Sequence, residues 1–134
     1  MKVDGACHCG QIAFEAEVDA ARVVICHCTD CQSLSGTAFR VSVPTAERDF
    51  RLLRGDPKEY RKLTAASGLP RIQAFCGACG SPLYSTSVDG DNRTFNIRAG
   101  TLSQRAELVP KRQIWCQSEL PWLPELPGTA SERG

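Results

Sequence analysis

The chain has 134 residues and a formal net charge of +1, from 16 lysine and arginine residues against 15 aspartate and glutamate residues. A single domain of this length can bury its own core, so a metal would not be needed merely to offset small size. The opposite charges are spread evenly, which argues against a nucleic-acid surface or an electrostatic membrane anchor.

The amino terminus and the cysteine count indicate the compartment. The sequence opens with Met1-Lys2-Val3-Asp4-Gly5 and lacks the apolar stretch of a secretory signal. No segment approaches the roughly 20 apolar residues that span a bilayer. We therefore expect a cytoplasmic protein. In that reducing environment, its eight cysteines are more often metal ligands or catalytic groups than disulfides.

Short runs that alternate in polarity, or that are rich in β-branched and aromatic residues, predict strands. In chain order they cover residues 12–18, 22–25, 38–43, 50–53, 72–75, 94–99 and 113–116. Turn sequences such as Gly55-Asp56-Pro57 and Ser81-Pro82 separate them. The pattern predicts an all-β fold of short strands with little helix.

The segments outside the predicted strands leave little room for helix. Residues 65–66 and 101–108 are each predicted to carry at most a helical turn or two. Cys116 follows Trp115 in an apolar strand pattern and is predicted to be a small core residue. Residues 1–124 are predicted to form a single domain. The proline and small polar residues of 125–134 predict a flexible tail.

Three clusters contain seven of the eight cysteines. In chain order their ligand candidates are Cys7 and Cys9, then Cys26, Cys28 and Cys31, and finally Cys76 and Cys79. The turn from Cys76 to Cys79 is followed by a glycine, and such a turn lets two sulfurs converge on one zinc ion. Because a structural zinc needs four ligands, the pair near the start would complete the site. The alternative is a set of reduced, buried cysteines.

The middle cluster puts three thiolates within six residues and offers no dedicated fourth ligand. Three protein ligands and an open position are typical of a catalytic zinc, where water rests and a substrate can bind. The alternative is a second structural zinc with its fourth ligand taken from elsewhere. The candidates for that ligand are His8, His27, Asp30 and Cys116.

The two histidines each lie between two of the proposed ligands. In an extended backbone such a ring points away from the metal, so we expect His8 and His27 to support the ligands or lie at the surface. Asp30 is expected to be solvated. His27 is nevertheless the nearest candidate for a general base.

The order of these motifs resembles the glutathione-dependent formaldehyde-activating enzyme (GFA) family, which also includes centromere protein V. The resemblance rests on Cys-His-Cys-Gly near the start, Cys-His-Cys-x-x-Cys followed by Ser35-Gly36, and Phe-Cys-Gly-Ala-Cys-Gly later. A late Gly-x-Leu, Trp115 and Pro121-Trp122 extend it over residues 5–122. Family members often carry a histidine where this chain has Gln113, and a plain apolar residue where it has Cys116.

The resemblance implies several coiled antiparallel sheets pinned by two zinc ions. It implies that Cys7, Cys9, Cys76 and Cys79 hold the structural ion and that Cys26, Cys28 and Cys31 hold the catalytic one. The activity it implies is the condensation of formaldehyde with glutathione to S-hydroxymethylglutathione, a carbon-sulfur lyase reaction run in reverse. Glutathione carries two carboxylates, for which Arg40, Arg71, Arg93 and Arg98 are the candidate partners.

Three hypotheses follow for the function. The leading one is an enzyme in which a thiol loses its proton at the open zinc position and attacks a small carbonyl carbon. The second is a non-catalytic zinc module that binds a macromolecule through its β surface. The third is a redox or metal-buffer role for the triple cluster. A second zinc that thiols displace favours the enzyme, and two inert zincs favour the module.

Overall fold

Runs of residues that alternate in polarity form short strands in this chain, as the sequence predicts. The computed structural model describes all 134 residues, Met1–Gly134. The strands are β1 (Lys2–Ala6), β2 (Ala13–Glu17), β3 (Val24–Cys26), β4 (Arg40–Ala46), β5 (Phe50–Arg54), β6 (Lys58–Lys62), β7 (Arg71–Phe75), β8 (Pro82–Ser87), β9 (Thr94–Arg98) and β10 (Arg112–Ile114). The α-helix is α1 (Thr29–Ser35), and short 3-10 segments cover Ala20–Arg22, Glu47–Asp49, Ala99–Thr101, Cys116–Ser118 and Leu123–Gly128. The all-β prediction is therefore confirmed. None of the helical segments is long and apolar enough to cross a bilayer.

The strands form two sheets. The smaller has the order β1-β2-β5 and the larger has the order β10-β3-β4-β9-β8-β7-β6. Neighbouring strands are antiparallel except for β10, which pairs parallel with β3. Through this pair, the late segment of the chain reaches the strand that leads into the triple cysteine cluster.

The hydrophobic core lies between the small sheet and one face of the large sheet. Val3 and Phe14 from the small sheet pack in the same buried cluster as Val43, Leu83 and Ile97 from the large one. Phenylalanine and tyrosine rings from both sheets stack beside them. Burial of this apolar surface is the main stabilising contribution of the polypeptide itself.

The other face of the large sheet is polar and yet largely buried. In β4, β9, β8 and β7 the residues that alternate with the core residues are polar, and the strand register places them on one face. They are Arg40, Ser42, Asn96, Arg98, Ser85, Gln73 and Arg71. Since polar groups are costly to bury, their position indicates a functional surface.

Three strands and the helix do not follow from the sequence pattern. β6 consists almost entirely of charged residues, because it is an exposed edge strand. β8 starts at Pro82, and the first position of a strand is one that tolerates proline. β1 contains Gly5 and charged residues. Helix α1 has the thiol of Cys28 as its N-cap group, which is an unusual capping residue, although Gly36 in the left-handed conformation marks its end.

Two predictions need correction, the one for Cys116 and the one for residues 65–66. Cys116 is exposed instead of lying in the core, because Trp115 adopts a left-handed conformation (φ 56°) and ends the strand after Ile114. Residues 65–66 form part of a turn without helix, and 101–108 contain successive turns after Ala99–Thr101. Residues 125–134 are all exposed, and the flexible tail stays a prediction.

Candidate metal centres and their cavity

The first cysteine pair lies in a tight loop between β1 and β2. The backbone N–H of Cys7 donates to the carbonyl of Ile12 at 3.0 Å, and Gly10 N–H donates to the carbonyl of Cys7 at 3.0 Å. Gly10 has a φ of 81°, a conformation that glycine adopts without strain. The loop holds the side chains of Cys7 and Cys9 on the same side.

The second pair lies in the turn between β7 and β8. Cys76 N–H donates to the carbonyl of Ser81 at 2.9 Å, and Gly80 N–H donates to the carbonyl of Cys76 at 2.8 Å. The hydroxyl of Ser81 accepts a hydrogen bond of 2.9 Å from the backbone N–H of His8, which docks this turn on the first loop. The two pairs are thereby brought together from opposite parts of the sequence.

The four sulfurs have the spacing of a tetrahedral metal site. All four lie within 4.8 Å of one another, with 3.6 Å between the sulfurs of Cys7 and Cys9 and 3.8 Å between those of Cys9 and Cys76. A zinc ion bound about 2.3 Å from each of four thiolates requires sulfurs about 3.8 Å apart. Ile12 N–H also donates to Cys7 Sγ at 3.3 Å, which suits a thiolate ligand. The sulfurs of Cys7, Cys9, Cys76 and Cys79 therefore fit a closed zinc site.

The triple cluster is built where β3 runs into α1. Cys26 ends the strand, Cys28 caps the helix by accepting a 3.3 Å hydrogen bond from Cys31 N–H, and Cys31 lies in the first turn. The three sulfurs lie within 4.8 Å of one another. None of the alternative fourth ligands adds a ligand atom to this group. The cysteines therefore fit a zinc ion with three protein ligands and an open fourth position.

The charge around the triple cluster is unevenly distributed. Arg40 donates through Nη2 to Cys31 Sγ at 3.0 Å. Hydrogen bonding from Cys26, and then the positive charge of Arg40, lower the pKa of the Cys31 thiol to about 5 against the opposing effect of burial. The same bond to Cys31, and then burial, raise the pKa of Cys26. This arrangement favours the thiolate form of Cys31, and a zinc ion would have to displace the proton of Cys26.

His27 lies between Cys26 and Cys28 in sequence, and its ring is buried. Its side chain is 1 % exposed, lies edge-on to Phe39, and forms a 2.7 Å hydrogen bond between Nε2 and the Oε1 atom of Gln113 on β10. Because Gln113 Oε1 can only accept, Nε2 carries the proton. The ring does not line the cavity described below, so His27 is not placed to act as a general base there. His8 is exposed.

Substitution of Gln113 by alanine is expected to weaken zinc binding at the triple cluster by roughly 10- to 100-fold, because hydrogen bonds that orient a metal-binding loop have effects of this size. Zinc transfer to a competing chelator would measure the change. Zinc at the four-cysteine site should dissociate as in the unmodified protein. Equal weakening at both sites would show a general loss of stability and contradict a local role for Gln113.

A cavity of about 680 Å³ opens on the triple cluster. Cys26, Cys28 and Cys31 lie in its wall, and Trp115 contributes to its edge. Three arginines of the polar sheet face line it, and we refer to them as the arginine floor. They are Arg40, Arg71 and Arg98. The volume is in the range of small-molecule sites.

Neutral side chains bind two of the three arginines of the arginine floor, Arg40 and Arg98. Gln73 Oε1 accepts from Arg98 Nη2 at 2.8 Å and from Arg40 Nη1 at 3.4 Å, and Ser42 Oγ accepts from Arg98 Nη1 at 2.8 Å. Burial, and then the nearby Arg40, lower the pKa of Arg98 to about 9. It is still protonated at neutral pH.

The fourth candidate arginine lies outside the cavity. Arg93 binds the carboxylate of Glu47 through Nε at 2.9 Å and through Nη2 at 3.2 Å. Conversely, Lys62 lines the cavity but was not among the sequence candidates. It pairs with Asp30 at 3.1 Å, which also accepts a hydrogen bond from Thr64, so Asp30 is not simply solvated. Polar residues two apart, as in Arg71-x-Gln73, are the sequence signal that could have revealed this polar face.

Comparisons with known proteins agree with this arrangement. A family model described as glutathione-dependent formaldehyde-activating enzyme matches residues 2–118. Among solved structures, the crystal structure of a Rhodobacter sphaeroides protein, a Northeast Structural Genomics target, matches with a TM-score of 0.63 and 19% identity. The match covers 82% of this chain and 98% of that chain, and it shows a common fold. No curated protein matches the sequence.

Proposed function

The chain belongs to the glutathione-dependent formaldehyde-activating enzyme family, and on that basis we propose that it is a zinc-dependent carbon-sulfur lyase-type enzyme. It would join a thiol of the glutathione type to a small aldehyde such as formaldehyde, or cleave the S-hydroxymethyl adduct. The thiol S–H adds across the C=O bond: a carbon-sulfur bond forms, the carbonyl becomes a hydroxyl, and the thiol proton ends on that oxygen.

The observation that supports catalysis is the open side of the triple cluster. Three sulfurs lie together in a cavity wall with no fourth protein ligand, whereas the other cluster has four. Structural zinc sites are closed, and catalytic ones keep a position for water or substrate. We therefore assign the closed site of Cys7, Cys9, Cys76 and Cys79 to stability, and the open site to chemistry.

Cys26, Cys28 and Cys31 would hold the catalytic zinc. When bound, zinc supplies a positive charge that favours the thiolate form of an incoming thiol and a fixed position for it. Arg40 keeps Cys31 oriented through its hydrogen bond to the sulfur. Since His27 is turned away from the cavity, the thiol proton would leave to solvent, and the adduct oxygen would take a proton back from solvent.

The cavity supports a substrate that carries negative charge. The arginine floor lines the cavity, and none of its three arginines is paired with a carboxylate of the protein. Guanidinium groups bind carboxylates through two parallel hydrogen bonds, which fixes both position and orientation. Arg93 is left out of this proposal, because Glu47 already binds it.

The direct test follows the reaction of glutathione with formaldehyde by NMR exchange spectroscopy, with and without zinc-loaded protein. The proposal predicts exchange faster than the spontaneous reaction. It also predicts a second zinc that an excess of a competing thiol removes more readily than the first. A protein that neither binds glutathione nor accelerates the reaction, and that keeps two inert zincs, would instead be a non-catalytic zinc module.

The same chemistry bears on the compartment. All eight cysteines are free thiols, and a zinc site built of thiolates needs cysteines that stay reduced. We therefore propose a cytoplasmic location, where glutathione is also available.

A further inference from the structure

The arginine floor has no carboxylate partner in the protein. None of its three residues forms an ion pair with an aspartate or a glutamate. Asp30 provides the only carboxylate in the cavity lining, and it is already bound by Lys62 and Thr64. The cavity therefore holds more positive charge than the polypeptide neutralises.

The thiolates account for only part of this charge. A zinc ion with three thiolates carries one net negative charge, and Arg40 balances it through the hydrogen bond to Cys31. Arg71 and Arg98 are left without an anion. Arg98 is the more demanding of the two, because its side chain is 6 % exposed and binds only the neutral oxygens of Ser42 and Gln73.

A purely structural role does not explain a buried charge at this position. Two neutral acceptors could be served by a neutral donor without the cost of burying a cation. Each guanidinium also has five N–H donors, and the protein uses only some of those on Arg40 and Arg98. Positive charge and spare donors directed into a cavity are the features of a site for an oxyanion.

The position of these donors indicates which reactant carries the anion. Arg40 is one hydrogen bond from a ligand sulfur, and Arg98 is joined to Arg40 through the shared oxygen of Gln73. An anion held between them would lie next to the reacting atoms. The carboxylates of glutathione are many bonds from its sulfur, and formaldehyde has no charge. A carboxylate attached directly to the carbonyl carbon would fit this position.

We propose that the arginine floor is a carboxylate subsite and that the carbonyl partner is a small α-oxo acid with an aldehyde group, of the glyoxylate class. This inference rests on the proposed function. The thiol adds across the aldehyde, so that one carbon-sulfur bond forms, the C=O bond becomes C–OH and the thiol proton ends on that hydroxyl. The carboxylate is unchanged and no oxidant or reductant is needed.

The test combines two thiols with two carbonyl compounds. Glutathione carries carboxylates and 2-mercaptoethanol carries none, while glyoxylate carries a carboxylate and formaldehyde carries none. For the unmodified protein, we expect kcat/KM to be higher with glyoxylate than with formaldehyde, whichever thiol is used. In Arg98→Gln the ratio of kcat/KM with glyoxylate to kcat/KM with formaldehyde should fall roughly 10- to 100-fold. This is the range expected for losing a charge-assisted hydrogen bond. Arg98→Lys should recover part of it.

Arg93→Gln is the matched control, because that arginine lies outside the cavity and should leave the ratio unchanged. Arg71→Gln provides a second floor variant at a less buried position, should Arg98→Gln fail to fold as judged by circular dichroism and zinc content. The contrary result is that Arg98→Gln lowers kcat/KM for glutathione relative to 2-mercaptoethanol, and leaves the ratio for glyoxylate relative to formaldehyde unchanged. The arginine floor would then bind the carboxylate of the thiol, and the proposal would be overturned.

A binding measurement separates this inference from the proposed function. Oxamate has the shape and carboxylate of an α-oxo acid but does not react with thiols. We expect calorimetry to detect its binding to the zinc-loaded protein and a weakening of roughly 10-fold or more in Arg98→Gln. If no thiol and carbonyl pair is accelerated but oxamate binds in this way, the function fails and the subsite stands. Absence of oxamate binding overturns the subsite.

Discussion

Cys76→Ser is expected to remove one zinc ion and to lower the free energy of unfolding by about 4 kcal/mol or more. Cys76 is 1 % exposed and lies in the hydrophobic core together with Cys7. Serine is a poor zinc ligand, and its hydroxyl would be left in an apolar environment. Because small domains have only about 5–15 kcal/mol of stability, a large part of the variant should be unfolded at 37 °C.

Native mass spectrometry and urea unfolding would measure the two effects. Cys116→Ser is the matched control, because Cys116 is an exposed thiol outside both clusters and should leave both measurements unchanged. Cys9→Ser changes an exposed ligand of the same site and so removes the metal without placing a hydroxyl in the core. A Cys9→Ser protein with unchanged zinc content and stability would contradict the assignment of a structural ion to this site.

Cys28→Ser is expected to reduce the zinc content from two ions to one and to reduce the acceleration of thiol addition at least about 100-fold, because loss of a ligand exceeds the effect of losing a supporting group. The fold should be kept. The side chain of Cys28 also caps α1, and serine is one of the best capping residues, so this substitution separates the metal from the helix.

Reaction rates over the spontaneous background, zinc content and the urea midpoint would be compared in the same samples. We expect a smaller shift of the midpoint than in Cys76→Ser, because serine keeps the cap and the triple cluster lies in the wall of a cavity. A Cys28→Ser protein that has lost the second zinc but keeps full activity would show that the triple cluster is not catalytic. Loss of stability as large as that of Cys76→Ser would show that both sites are structural.

The sequence could predict how the cysteines group into two candidate metal sites. The spacing of Cys76 and Cys79, and of Cys26, Cys28 and Cys31, depends on local turns, and local geometry follows from residues close in sequence. The pairing of strands that brings Cys9 to 3.8 Å from Cys76 depends on the whole fold. Counting ligands nevertheless predicted which pairs belong together, because a structural zinc needs four, and the family resemblance implied the same pairing.

The cavity could not be predicted in the same way. Arg40, Arg71 and Arg98 come from three different strands, and only the order β4-β9-β8-β7 places them on one face. In the sequence, Arg93 is an equally good candidate for binding a carboxylate, but in the structure it forms an ion pair with Glu47. Arginine is exposed in most proteins, so burial of Arg98 becomes visible only when the sheet is assembled.

The joining of the first loop to a turn near the middle of the chain also has a consequence for synthesis. Cys9 and Cys76 are separated by 67 positions. At ribosomal rates of about 5–20 residues per second, the first thiol pair waits roughly 3–13 s before its partners emerge. During that interval Cys7 and Cys9 are unprotected on a nascent chain. We expect the yield of folded protein to depend on zinc and reductant present during translation, more than on zinc added after purification.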